Sequence, residues 1–194
     1  MKNLRSLTFA LLSASMLIFS SCGDDDDVTP TIVPDLTINQ IKDLDGGVGK
    51  DSVYFSLALN KEVTSTEAWD LKFKGTTIST SGTAQLVALT SGILFETYDT
   101  APASGFVAAP ISGSSSWYNY TAETEPMHAI LPVPGKIILV KTTGGKYAKI
   151  EMLSYYKGNP STTTDTFKDL TTRPASKIYT FRYAYQADGT TDLK

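Results

Sequence analysis

From Val53 onward apolar residues recur at every second position. That period suits an extended strand with one buried face and not an amphipathic helix, whose apolar stripe repeats at three and four. Val53, Phe55, Leu57 and Leu59 alternate with Tyr54, Ser56 and Ala58, and Trp69, Leu71 and Phe73 alternate with Asp70, Lys72 and Lys74. Each run predicts a strand with one face in the core. Residues 136–141 and 146–153 are joined by Thr142-Thr143-Gly144-Gly145, which predicts a hairpin whose two glycines supply the positive φ angles of a tight turn. The run 178–186 sets Tyr179, Phe181, Tyr183 and Tyr185 on one face and Thr180, Arg182 and Ala184 on the other. An aromatic stripe of this kind is read as core or cross-strand packing rather than as a ligand platform. Met152, in phase with Ile150, points to the core as well. Helical turns are expected only around 37–44 and 164–170, where the spacing fits either period. The fold class expected is all-β, a single antiparallel β-rich domain with long loops. The connections 97–116 and 158–176, rich in Ser, Thr, Gly and Pro, are of a length that often serves function; residues 101–116, small and uncharged, read equally as disorder.

The N-terminus has a different pattern. Lys2 and Arg5 precede a short apolar stretch, 7–19, and Ser20-Ser21 lead into Cys22, the one cysteine of the chain. The stretch is shorter than the roughly 20 apolar residues a membrane span needs and carries Thr8, Ser13 and Ser15, so residues 1–21 read as an export signal. Phe19-Ser20-Ser21-Cys22 resembles a bacterial lipoprotein box, with Phe19 where Leu is more usual. That class acylates the cysteine, which becomes the mature N-terminus, and each buried methylene then contributes roughly 0.8 kcal/mol to anchoring. Asp24-Asp25-Asp26-Asp27 resembles the acidic tag that sends lipoproteins to the outer surface in some Gram-negative anaerobes, and it also reads as a solvated tether. Residues 22–36, acidic and rich in Thr and Pro, are expected to be a linker, and 37–194 the β domain.

Composition excludes several chemistries. The net charge is −3 and no basic patch stands out, which argues against nucleic acid. With Cys22 carrying lipid, the mature chain has no thiol for a disulfide or a thiolate metal site. His128 is the sole histidine, and neither a G-x-S-x-G turn nor a phosphate-cradling loop occurs, so a hydrolytic triad and a nucleotide cradle both fail. Glu96, Glu123, Glu125 and Glu151 read as solvated surface rather than an acid/base pair. The chain is therefore read as no enzyme. Met127-His128 is the unusual local pair: a thioether and an imidazole can each be an axial ligand to haem iron, and aromatic and aliphatic runs, 117–120 and 129–132, flank it. In an extended segment only one of two neighbours faces a given pocket, and on these residues alone packing plus a surface imidazole is the simpler reading.

Five collinear pieces carry a resemblance: Val53-Tyr54-Phe55-Ser56-Leu57; Trp69-Asp70-Leu71-Lys72-Phe73; Trp117-Tyr118-Asn119-Tyr120; Gly144-Gly145-Lys146-Tyr147-Ala148-Lys149 with Ser154-Tyr155-Tyr156; and 179–186 before Asp188-Gly189. Behind a lipoprotein box they resemble the HmuY family of haem-binding surface lipoproteins. The resemblance implies an all-β protein, lipid-anchored through Cys22 on the outer membrane and facing the cell surface. It would bind haem as cargo and deliver it to a TonB-dependent receptor for iron acquisition. It further implies two axial ligands, both His in some members and both Met in others. The second ligand is expected at Met127, with His128 as its competitor, and Trp117 and Tyr118 among the haem contacts. The first is expected around 94–106, yet no His or Met occurs between Leu17 and Pro126. Tyr98 as phenolate, ligation from one side, or a changed ligand remain the alternatives. Two other functions stand beside this one: a lipoprotein that binds a glycan or other nutrient on Trp117, Tyr118 and Tyr120, and a structural or adhesive surface protein. Asp99-Thr100-Ala101 resembles an O-glycosylation site used by such anaerobes.

Overall fold

The computed structural model describes residues 35–47, 49–113 and 116–194. The export segment, Cys22 and the tether as far as residue 34 lie outside them. In chain order the strands are β1 Ile38–Asp45, β2 Val53–Ser56, β3 Lys61–Val63, β4 Leu71–Lys74, β5 Thr77–Thr80, β6 Gln85–Ala88, β7 Tyr118–Tyr120, β8 Ile130–Pro132, β9 Ile137–Lys141, β10 Tyr147–Tyr156 and β11 Ser176–Gln186, with one short helix, α1 Asp165–Lys168, before the last. Every pairing among them is antiparallel. One sheet has the order β1-β11-β10-β9-β6, a second β3-β2-β4-β5, and β7 pairs with β8 alone.

The expected hairpin is β9–β10, with Lys141 opposite Tyr147. Of its two glycines only Gly145 takes a positive φ, 73°, and its N–H donates to Thr142 O at 2.9 Å. The strand expected over 53–59 ends at Ser56, since Asn60 adopts φ 52° and turns the chain. Leu57 stays inside, whereas Leu59 points out at 59% exposure. Trp69, expected within a strand, lies just before β4 and is half-buried.

The 37–44 segment is a strand, not a helical turn. Ile41 and Leu44 are spaced by three because a bulge separates them, with Asp43 at φ 54°, whereas Ile38 stays in regular register opposite Ala184 and is exposed. Three residues of β1 therefore span two of β11, and Ile41 and Leu44 still face Phe181 and Tyr179. The 164–170 turn does contain α1, capped by the Thr164 hydroxyl, which accepts from Phe167 N–H.

The core lies between the two larger sheets. Phe55 meets Phe181 edge-on at 5.4 Å, and Phe73 lies 4.8 Å from Tyr179. Ile138, Val140, Ile150 and Met152 supply the aliphatic filling. Each such side chain contributes roughly 1.5–3 kcal/mol by leaving water. Three of the four rings of the β11 stripe are thus core, as expected from its spacing, with Tyr179, Phe181 and Tyr183 at 0% exposure, while Tyr185 is half-buried.

The other face of the five-stranded sheet is covered too. Phe95, Ala101 and Leu193 pack on Ile137, Leu139 and Ala184 as a second cluster. Glu96 and Glu151, expected as scattered surface carboxylates, both reach Arg182: Glu151 Oε2 accepts from Arg182 Nε at 2.7 Å and Glu96 pairs with Nη1. Glu151 is only 7% exposed. The 101–116 segment is pinned rather than loose where it is described. Val107 exchanges backbone hydrogen bonds with Leu86 on β6, and Ile111 with Ile78 on β5, so the segment covers open strand edges of both sheets.

Candidate functional site

Met127 and His128 sit on the 121–129 loop that joins β7 to β8. The Thr121 hydroxyl donates to Pro126 O at 2.6 Å and accepts from Ala129 N–H at 2.8 Å, and His128 N–H donates to Ala122 O at 2.7 Å. Ala122 and His128 both adopt left-handed backbone angles, φ 48° and 54°. The loop is held at its base by Ala129, at 0% exposure, and by Ile130 N–H, which donates to the Tyr156 hydroxyl at 3.0 Å. Outside, Glu125 pairs with Lys168 at 3.4 Å. These bonds fix the loop backbone while the two side chains stay accessible, Met127 at 42% and the His128 side chain at 44%.

The segment is a loop and not the extended run in which neighbours alternate between faces, with His128 at φ 54°. His128 lines a cleft of about 400 Å³ with Ile130, Tyr155, Tyr156, Leu170 and Arg173; Met127 is not part of its lining. The imidazole is oriented by the Tyr120 hydroxyl, 2.7 Å from Nδ1, and its Nε2 lies 3.7 Å from Glu123, beyond hydrogen-bonding distance. Nε2 is therefore the nitrogen open to a ligand. Arg173 sits at the far wall, stacked 4.8 Å over Phe167, with Nε donating to Phe167 O at 2.7 Å. Among the described residues it forms no ion pair with a carboxylate. Tyr155 and Tyr156 were visible only as family-like sequence, and Arg173 and Leu170 only as part of a long connection.

The remaining expected residues lie elsewhere. Trp117 is 1% exposed, and its indole N–H donates to Thr76 O at 2.8 Å. Tyr118 is 7% exposed and donates to the Thr76 hydroxyl at 3.3 Å. Both rings belong to the main core, and only Tyr120, at 47% exposure, is open to a flat ligand. A stacking platform on Trp117 and Tyr118 is therefore corrected: bonding to Thr76 turns these rings inward. Tyr98 packs in the second cluster, away from the core beneath His128. Burial raises its phenol above the ordinary 10.0, which makes the phenolate costlier there. Among the described residues no three His, Cys, Asp or Glu side chains converge as a metal site.

No protein-family model matches the chain. No curated protein matches it by sequence. Solved structures do match. Apo PinO from Porphyromonas gingivitis is 17% identical with a TM-score of 0.52, covering 77% of this chain and 97% of its own. A candidate lipoprotein from Bacteroides fragilis is 15% identical with a TM-score of 0.50, covering 77% and 88%. A candidate HmuY-like haem-binding protein from Bacteroides vulgatus is 15% identical with a TM-score of 0.49, covering 77% and 91%. At such identities the likeness is one of fold: the chain is all-β and antiparallel, as its alternating segments lead one to expect, and shares its fold with PinO and with the Bacteroides fragilis candidate lipoprotein.

Proposed function

We propose that the protein is a non-enzymatic surface lipoprotein that binds haem and passes it to a TonB-dependent receptor of the outer membrane, anchored by lipid on Cys22. The observation that carries this reading is His128: an exposed imidazole with Nδ1 held by Tyr120 and Nε2 open, at the rim of an aromatic cleft with an unpaired arginine. Haem brings an iron that takes an axial side chain and two propionates that take cations. The residues fit that group. His128 is the candidate ligand within the cleft and Met127, absent from its lining, the alternative; Tyr155 and Tyr156 would supply apolar wall, and Arg173 would be the cation for a propionate. Ligation from one side agrees with the lack of His or Met between Leu17 and Pro126. The fold shared with the Bacteroides fragilis candidate lipoprotein supports the lipoprotein part of the reading.

Haemin titrated into the purified protein is expected to produce a Soret shift that disappears when Met127→Ala and His128→Ala are combined. The single variants decide the ligand: His128→Ala alone should remove most of the shift, and Met127→Ala little of it. Absence of any shift, with haemin oxidised or reduced, would sink the proposal.

A further inference from the structure

A second cleft, of about 500 Å³, opens at the other end of β10 from His128. It is walled by Trp69, Asp70, Ser81, Thr143, Lys146 and Tyr185, drawn from four separate stretches of chain. Lys146 precedes β10, whereas Tyr156, which lines the His128 cleft, ends it ten residues on. At about 3.3 Å per residue the two clefts lie roughly 30 Å apart. They are separate sites.

The walls of this cleft combine ring faces with free polar groups. Trp69 and Tyr185 are both half-buried. The Trp69 ring is set by an edge contact to Tyr54, 5.1 Å between centroids. Its indole N–H and the Tyr185 hydroxyl make no hydrogen bond among the described residues. Lys146 is also partly buried, yet its ammonium forms no ion pair or hydrogen bond there and acts on Asp188 only at longer range. Lys50, Lys74 and Lys168 are salt-bridged, and Lys149 is hydrogen-bonded. Asp70 is held in place by accepting from Leu57 N–H at 2.8 Å. The Thr143 hydroxyl donates to the Ser81 backbone carbonyl at 3.2 Å, and the Ser81 hydroxyl makes no hydrogen bond among the described residues.

The volume falls within the range of about 300–1,000 Å³ typical of small-molecule sites, and amphipathic rings beside a few fixed polar groups are how such sites orient a ligand. A pyranose matches both halves of that description: its C–H face lies on an aromatic ring while its substituents take hydrogen bonds at the rim. We propose that this cleft binds a saccharide residue, with Trp69 and Tyr185 against the sugar ring and Lys146, Asp70 and Ser81 on its substituents. Neutral and carboxylate-bearing sugars share the ring and differ at Lys146.

The test is NMR of the purified full chain titrated with lactose, chitotriose and 3′-sialyllactose up to about 10 mM. The chain has two tryptophans, so two indole N–H signals report, and Trp69→Phe assigns them. At least one sugar should move the Trp69 signal saturably and leave the Trp117 signal in place. Lys146→Gln, a change at a half-exposed side chain that leaves the fold intact, should weaken that response by about tenfold, the loss of one charge-assisted hydrogen bond. Sialyllactose binding tighter than lactose identifies the carboxylate-bearing class, and equal binding the neutral one. The combined Met127→Ala and His128→Ala variant should respond like the parent, which keeps this test independent of haem. No Trp69 shift with any of the three sugars, a response unchanged by Lys146→Gln, or one lost in the haem-site variant overturns the proposal.

Discussion

Lys149 is 2% exposed, and its ammonium donates to Phe95 O at 2.9 Å and Tyr98 O at 3.0 Å while lying 4.9 Å from the Phe95 ring centroid. Removal from water draws its pKa below the ordinary 10.5, against the pull of Asp99 and Glu96. Arg182 also lies over this ring, 4.6 Å from its centroid. One aromatic residue is thus contacted by two cations, and through it the 95–98 turn is tied to the sheet. Lys149→Met keeps the packing but leaves two carbonyls without donors, so it should lower stability by about 1–3 kcal/mol in urea denaturation. Faster amide exchange confined to residues 93–101 is expected to accompany the loss. Alternation placed Lys149 and Glu151 opposite Ile150 and Met152, correctly, but made that face solvated. The carbonyls that take the Lys149 ammonium belong to Phe95 and Tyr98, more than fifty positions away, which no local period records.

At the level of the element, β11 decides the response to alkali. Burial pushes the phenols of Tyr155, at the end of β10, and Tyr183 up to about 12 and that of Tyr179 further still. Tyr183 donates to Leu57 O at 2.9 Å and Tyr179 to Gly75 O at 2.7 Å, so each neutral phenol also bonds the opposite sheet. A group whose pKa is raised by folding stabilises fully below its unfolded value and loses that contribution as pH rises through the folded one. Stability should therefore hold up to about pH 10, the unfolded phenol value, and then fall, with Tyr155 and Tyr183 each losing about 2–3 kcal/mol by pH 12. Urea midpoints measured from pH 8 to 12 check this, and tyrosinate absorbance should appear together with unfolding for the buried class. The stripe itself was legible because period two is a property of the strand. The bulge in β1 was not: one residue at φ 54° turned strand spacing into apparent helical spacing.

Across the whole molecule the two ends of the described chain meet. Leu36 N–H bonds Lys194 O, Leu193 N–H donates to Asp99 O at 2.7 Å, and Ala101 N–H to Thr191 O at 2.8 Å. Leu193 is 0% exposed within the second cluster. The last residues therefore hold down the 99–101 segment as well as the entry to β1. Leu193→Ala leaves a cavity beneath both, and a loss of about 2–5 kcal/mol is expected in denaturant titration. Unchanged stability in Leu193→Ala, the result expected of an exposed terminal residue, would contradict this role. The sequence by itself determined the class of fold, the β9–β10 hairpin, and the inward faces of β2, β4, β10 and β11. Each of these is written in neighbouring residues, because a strand's faces and a turn's torsions are set within a few peptide units. Only the tertiary structure decided that Trp117 and Tyr118 turn into the core, that His128 rather than Met127 enters a cleft, and that Trp69, Lys146 and Tyr185 share one. Those outcomes depend on which strands pair and what covers their outer faces, and pairing joins residues whose separation along the chain carries no local signal.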